Sequence, residues 1–188
     1  MRRSREATAE SKARIVATAS RMLRRRGLEG ASIADVMEAA GMTHGGFYKH
    51  FSSKDELNAA AVRAAFAEIA DRFDARECEK GPDAAIAAYV DEYLSSAHLE
   101  RPEFGCPVAA LGADAGRRPQ ALAPEFKAGA EALIDRLSRS EGNGRTDAAA
   151  RARAIRRLAM LVGAVVVARA VGPDALRDEI IAGVANSE

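Results

Sequence analysis

Tryptophan is absent from this chain, and aromatic residues make up only 5% of it. The apolar fraction, 48% of the sequence, is dominated by alanine and poor in β-branched residues, which favours closely packed helices. Cysteine is scarce as well: Cys78 and Cys106 stand far apart, and the histidines are His44, His50 and His98. None has the paired short spacing of a zinc site, and no disulfide framework can be built from them, so neither metal nor cofactor is expected. No long apolar run exists. The longest, Leu158–Ala168, is far short of the roughly 20 residues that span a bilayer, so no membrane partner is expected. The opening "MRRSREATAESKARIV" has basic residues but lacks the apolar stretch of a secretory signal, and the expected location is cytoplasmic. Also missing are G-x-G-x-x-G, a P-loop, H-E-x-x-H and G-x-S-x-G, so the chain does not read as an enzyme.

Net charge is nearly absent too, at +1, but this balance hides a division. Residues 1–54 carry eleven Lys/Arg against five Asp/Glu, a net +6, and the remainder carries seventeen against twenty-two, a net −5. The first part suits a polyanion and the second does not. A purely structural helical protein offers no reason for that split.

What is present is helical periodicity from end to end, with no alternating strand pattern. Ile15, Ala19, Met22 and Leu23 share one face of a first helix that stops at "RRRG". Ser32 caps a short second helix, "SIADVMEAA", closed by Gly41, and Thr43 stands where it can cap a third. Ser53 and Glu56 have the spacing of a capping box for a long fourth helix. Beyond it, Ile86, Tyr89, Val90, Tyr93, Leu94 and Ala97 form an i, i+3, i+4, i+7 stripe. "LERPEFGCP" reads as a break, "VAALGADAGRRP" as a shorter helix, and Leu122–Leu137 as another long one. "SEGNGRTD" is the most flexible-looking loop, followed by helices over about 147–171 and 173–185. The fold class expected is all-α, about nine helices.

Within residues 8–51 three helices follow one another, the second and third short and joined at Gly41. That is the helix-turn-helix arrangement, whose second helix enters the DNA major groove. The stretch "GMTHGGFYKHF" is then the reading surface. Gly45 and Gly46 allow close approach to DNA, Tyr48 and Lys49 offer a hydroxyl and an ammonium to phosphates, and Phe47 and Phe51 point into a small core.

The run "TAESKARIVATASRMLRRRGLEGASIADVMEAAGMTHGGFYKHFSSKDEL" resembles the DNA-binding domain of TetR-type transcriptional repressors. Gly27, Ser32–Ile33, Ala40–Gly41, Thr43, Gly45, Phe47–Tyr48, His50–Phe51, Ser53–Lys54 and Leu57 carry the resemblance in order and spacing. Met37 departs from it, standing where a small residue is usual, and a slight shift in helix packing is expected there. The resemblance implies a DNA-binding domain over 1–52 and a ligand-binding and dimerisation domain over 53–188. It makes Ser32 and Thr43 cap-and-phosphate residues, sets Tyr48, Lys49, His50 and Lys54 on the DNA backbone, and turns His44 and Gly46 toward base edges. It also implies a homodimer on a two-fold double-stranded DNA operator, released by a small-molecule inducer.

Several readings remain to be weighed against the structure. Tyr89, Tyr93, Phe104, Cys106, Phe126 and Met160 are the expected ligand-binding residues. A helix apolar all round must be covered on both sides. Leu158, Leu161 and Val165 are therefore expected, with Leu176, Ile180 and Val184, to form a four-helix interface between two copies. Arg2, Arg3 and Arg5 are a solubilising arm or a DNA-contacting one. "RRR" at 24–26 complements the helix dipole, and His98, beside a break, reads as a surface residue. An alternative switch is Cys106: Pro107 fits a first helical position, so the thiol would sit at a helix N-terminus, where its pKa would fall and it could sense electrophiles or oxidants. The bland reading, which the sequence favours, is a small buried hydrophobe.

Overall fold

The computed structural model describes residues 2–117, 119–142 and 147–186, the side chains of 2–5 and 119 aside. Nine α-helices are found among them, with no strand. They are α1 (Arg2–Arg26), α2 (Ile33–Ala39), α3 (Lys54–Lys80), α4 (Pro82–Tyr93), α5 (Ser96–Glu100), α6 (Pro107–Arg117), α7 (Pro119–Glu141), α8 (Ala148–Val171) and α9 (Ala175–Ala185). Two 3₁₀ segments, His44–Lys49 and Pro102–Phe104, complete the chain. The all-α expectation holds. Backbone helicity begins at Arg2, whereas the side chains of Arg2, Arg3 and Arg5 lie outside the described residues, as do 143–146 of the "SEGNGRTD" loop.

Local chemistry explains most boundaries. Ser32 Oγ accepts from the Asp35 N–H, and the Asp35 carboxylate accepts from the Ser32 N–H, a complete capping box. At α3 the reciprocity is split over two serines. Ser53 Oγ accepts from the Glu56 N–H at 3.1 Å, but the Glu56 carboxylate turns to the Ser52 N–H and hydroxyl, both at 2.7 Å. Asp147 caps α8 through the Ala150 N–H. The stripe expected to run on to Ala97 is interrupted: α4 ends at Tyr93 with Leu94 as its C-cap, and Ser95 starts α5 by accepting from the His98 N–H.

One continuous core runs from Ile15 through Val36, Phe47 and Leu57 to Leu133 and Val165. The long α3 is its axis, packing against α1 on one side and α4 and α7 on the other, while α8 lies between α7 and α9. Arg136 of α7 clamps Asp74 of α3 with two bonds of 2.8 and 2.7 Å, and holds that carboxyl below its ordinary range. Burying the apolar stripes stabilises the bundle at about 25 cal/mol per Å² removed from water.

Candidate nucleic-acid interface and interior cavity

The segment 43–51 is built from its core outward. Phe47 and Phe51 are buried and stack with centroids 5.7 Å apart, which anchors the turn to α1, α2 and α3. With those rings fixed, the intervening residues must face away. Thr43, His44, Gly45, Tyr48 and Lys49 are all exposed, Tyr48 to 68%, although it is a large aromatic residue. Ser32, at the start of α2, is exposed as well, and Gly46, His50 and Lys54 are half-buried. The His50 Nδ1 is buried without a hydrogen-bond partner, and Lys54 stands 3.8 Å from Glu29. The segment is a 3₁₀ turn rather than an α-helix, and the Thr43 hydroxyl makes no capping bond. Both points correct the sequence reading.

Gly45 and Gly46 have no internal reason to be glycine. A Cβ on Gly45 would meet nothing within 4 Å, and one on Gly46 would be in ordinary contact with the Met37 methyl and Thr43 hydroxyl, at 3.6 and 3.7 Å. Neither has a positive φ; the left-handed position is Gly41, at 71°. The space beside this bare backbone is open. Met37 itself is wholly buried beneath this turn, so the larger side chain is absorbed by the small core.

A cavity of about 270 Å³ lies among α3, α4 and the segment 95–106. Ile69, Tyr89, Tyr93 and Phe104 form its apolar wall; Arg72, Arg76, Arg101 and Glu92 supply its charges; His98 and Cys106 close its back. Of the six expected ligand residues, Tyr89, Tyr93, Phe104 and Cys106 are thus brought together. Phe126 is not: it packs edge-on to Phe66, with centroids 5.6 Å apart. Met160 lies on the outer side of α8 and lines a separate cleft with Arg153, Arg156 and Arg157. Both lie on helices whose position relative to the cavity is a matter of packing.

Cys106 agrees with the bland reading of a small buried hydrophobe, whereas His98 departs from its surface reading. Cys106 is 2% exposed, and burial pushes its thiol up, outweighing the Tyr93 hydroxyl beside it and the Val108 and Ala109 N–H groups at the start of α6. The premise of a lowered pKa is overturned, because desolvation outweighs the helix terminus. His98 is buried rather than a surface residue. Its Nδ1 lies 2.6 Å from the Tyr93 carbonyl, while Nε2 accepts from the Cys106 N–H at 3.0 Å. That pairing fixes a neutral ring protonated on Nδ1, and burial lowers its pKa. Gly105 makes it possible, since a Cβ there would collide with the His98 ring.

Arg24, read from sequence as a complement to the helix dipole, turns inward instead. Its guanidinium is buried, donating to the Ser20 carbonyl at 3.2 Å, the Gly105 carbonyl at 2.9 Å and the Glu68 carboxylate at 2.8 Å. Glu68 also pairs with Arg72 at 2.9 Å, and Arg72 donates to the Phe104 carbonyl at 3.2 Å. A polar chain thus runs from the cavity wall into α1, whose Lys12 lies over the Phe51 ring at 4.9 Å. A second tie is the Asp114 carboxylate of α6, which accepts from the Leu28 N–H just beyond α1.

The expected dimer face is reversed on α8. Leu158, Leu161 and Val165 are buried within the chain, and Ile180 and Val184 are half-buried against the core. The outward strip is Ile155, Met160, Val166, Val167 and Val171, joined by Leu176 of α9, each 39–49% exposed.

A short helix, a turn at the left-handed Gly41 and an exposed second helical segment make a helix-turn-helix, the arrangement found in one class of DNA-binding regulators. The family model for bacterial regulatory proteins of the tetR family matches residues 15–61. The HTH-type transcriptional regulator TtgR of Pseudomonas putida is 40% identical over 57 residues, 30% of this chain and 27% of that protein. An HTH-type transcriptional regulator of Mycobacterium tuberculosis is 30% identical over 128 residues, 66% of this chain and 64% of the relative. The matched stretches thus span less than two thirds of either relative. A TetR transcriptional regulator from Chloroflexus aurantiacus superposes with a TM-score of 0.76 at 26% identity, covering 98% of this chain and 95% of that one. Residues 15–61 belong to the tetR family of bacterial regulatory proteins, and the whole chain shares the fold of a TetR transcriptional regulator. No helix among the described residues is long and apolar enough to cross a membrane.

Proposed function

We propose that this chain is a ligand-responsive DNA-binding regulator, a repressor that leaves a palindromic operator when a small molecule enters the cavity. The observation that carries the reading is the double glycine of the exposed turn, which the fold does not need and a close-approaching duplex does. Lys49 and Tyr48 hold phosphates from the turn, Ser32, Thr43 and His50 flank them, and Lys54 adds charge at the start of α3, a helix terminus that favours phosphate. His44 and Gly46 meet base edges. Two copies associate through the outward strip of α8 with Leu176, since an apolar strip of this extent on a helix surface calls for a cover, and a two-fold operator calls for a second copy. Cavity and turn communicate through Arg72, Glu68 and Arg24.

The test is fluorescence anisotropy on DNA fragments retained by the purified protein, repeated across salt concentrations. Lys49→Ala is expected to weaken all sequences alike and reduce the salt slope by about 1, whereas His44→Ala alters preference among sequences. An unchanged slope in the Lys49 variant would remove the phosphate role, and absence of salt-dependent binding in the wild type would remove the reading.

A further inference from the structure

Resting on the ligand-responsive reading, we propose that the cavity takes a compact aromatic carboxylate. Three independent features of its walls point to the same chemistry. The first is charge. The lining carries three guanidiniums, Arg72, Arg76 and Arg101, against one carboxylate, Glu92. The carboxylates behind the wall do not restore balance. Glu92 serves both Arg72 and Arg76, and Glu68 is shared between Arg72 and the buried Arg24. The connected chain thus holds three arginines and two glutamates. Arg101 is the least committed cation, 63% exposed, with Glu103 at 4.0 Å and its guanidinium over the Phe104 ring at 4.6 Å. Cations beside a low-dielectric wall attract an anion more strongly than they would in water.

The second feature is a pair of orphan donors. The Tyr89 and Tyr93 hydroxyls are buried with no oxygen or nitrogen partner, Tyr93 having only the weakly accepting Cys106 thiol beside it, and both side chains line the cavity. Burial pushes both phenols well above their ordinary pKa, so they remain O–H donors. A ligand that satisfies them brings acceptors, and carboxylate oxygens or a ring oxygen do so. A ligand made of donors leaves them unpaired. The third is shape. Tyr89 and Tyr93 stand 5.5 Å apart, tilted by 57°, with Ile69 and Phe104 beside them, a wall that receives a planar ring by face and edge. The volume of about 270 Å³, just below the roughly 300–1,000 Å³ of drug-sized sites, suits one ring or a fused pair.

The same geometry supplies the regulation. A carboxylate drawn to Arg72 competes with Glu68 and with the Phe104 carbonyl, two of the bonds that join the cavity wall to the chain leading into α1. The Glu68 and Gly105 acceptors of Arg24 are thereby loosened together, and the support of the DNA-facing turn shifts.

Isothermal calorimetry on the full chain with 1-naphthoate, its neutral amide and 1-naphthylmethylamine separates the possibilities. The naphthoate is expected to bind at least about tenfold tighter than the amide and the amine not at all, with Arg101→Gln reducing the preference severalfold. Tyrosine emission gives a second readout. The chain has three tyrosines and no tryptophan, so in a Tyr48→Phe background only the cavity tyrosines report, and benzoate is expected to quench them. Equal or tighter binding of the amide, or a preference untouched by both Arg101→Gln and Arg72→Gln, overturns the carboxylate class but leaves a ligand-responsive regulator. Absence of binding by all three probes, in a protein that still binds DNA, overturns the class and the ligand-responsive reading together.

Discussion

Replacing Arg24 with methionine tests whether the buried guanidinium joins α1 to the cavity wall. The change keeps the aliphatic stem but removes the bonds to the Ser20 carbonyl, the Gly105 carbonyl and Glu68. Glu68 is 38% exposed and retains Arg72, so its loss is small after solvent screening. The Gly105 carbonyl is different: it is on a buried residue, and an orphaned acceptor costs about 1–3 kcal/mol. Relief from burying a charge offsets part of this. A net loss of about 2 kcal/mol follows, equivalent to about 4–8 °C in Tm for a chain of this size. Thermal denaturation at one fixed protein concentration, with exposed Arg25→Met as control, measures it. The control is expected to lie within about 0.5 kcal/mol of wild type. Because the lost bonds join two parts of the molecule, the ligand-induced change in DNA affinity is also expected to shrink. An Arg24→Met protein that melts with the control and responds fully to ligand would refute the connection.

Other outcomes follow from the same geometry. On α8, Val167→Asp is expected to give a folded monomer in sedimentation, whereas Val165→Asp, buried at 0% exposure, is expected to destabilise the fold itself, by several kcal/mol. A Val167→Asp dimer would move the interface elsewhere. His98 is held neutral in the folded state, below its ordinary value of 6.5, so the unfolded state binds the proton first. Stability is therefore complete above pH 6.5 and falls as pH drops below it, by up to about 1.4 kcal/mol per unit. Melting curves between pH 7.5 and 5.5 should show this slope in wild type and lose it in His98→Gln; equal slopes would disprove it. Wild type and Cys106→Ser are expected to release DNA equally under N-ethylmaleimide, because Cys78 is the exposed thiol. Faster release in wild type would restore the sensor.

The sequence by itself determined much of what rests on near neighbours. Ser32 and Asp35 are three residues apart, and their capping box needs nothing else. Phe47 and Phe51, four apart, were legible as the anchors of the exposed turn, and the glycine pair between well-formed helices marked the surface. The matching G-x-F-Y-x-H-F-x-S-K run extended this to a family. Tertiary structure decided the rest, because the deciding contacts lie far along the chain. Arg24 reaches Glu68 and Gly105, 44 and 81 positions away, so three adjacent arginines at a helix end could not show which one turns inward. His98 looks like a loop residue until the Tyr93 carbonyl and Cys106 N–H close on its two ring nitrogens. A helix as apolar all round as α8 carries no sign of which face is internal; packing against α7 and α9 chooses Leu158, Leu161 and Val165, and leaves the opposite strip outward. At Cys106 two local effects opposed each other, a helix terminus and burial. Only the packed structure sets the degree of burial, and removing a charge from water outweighs the few N–H groups at a helix start.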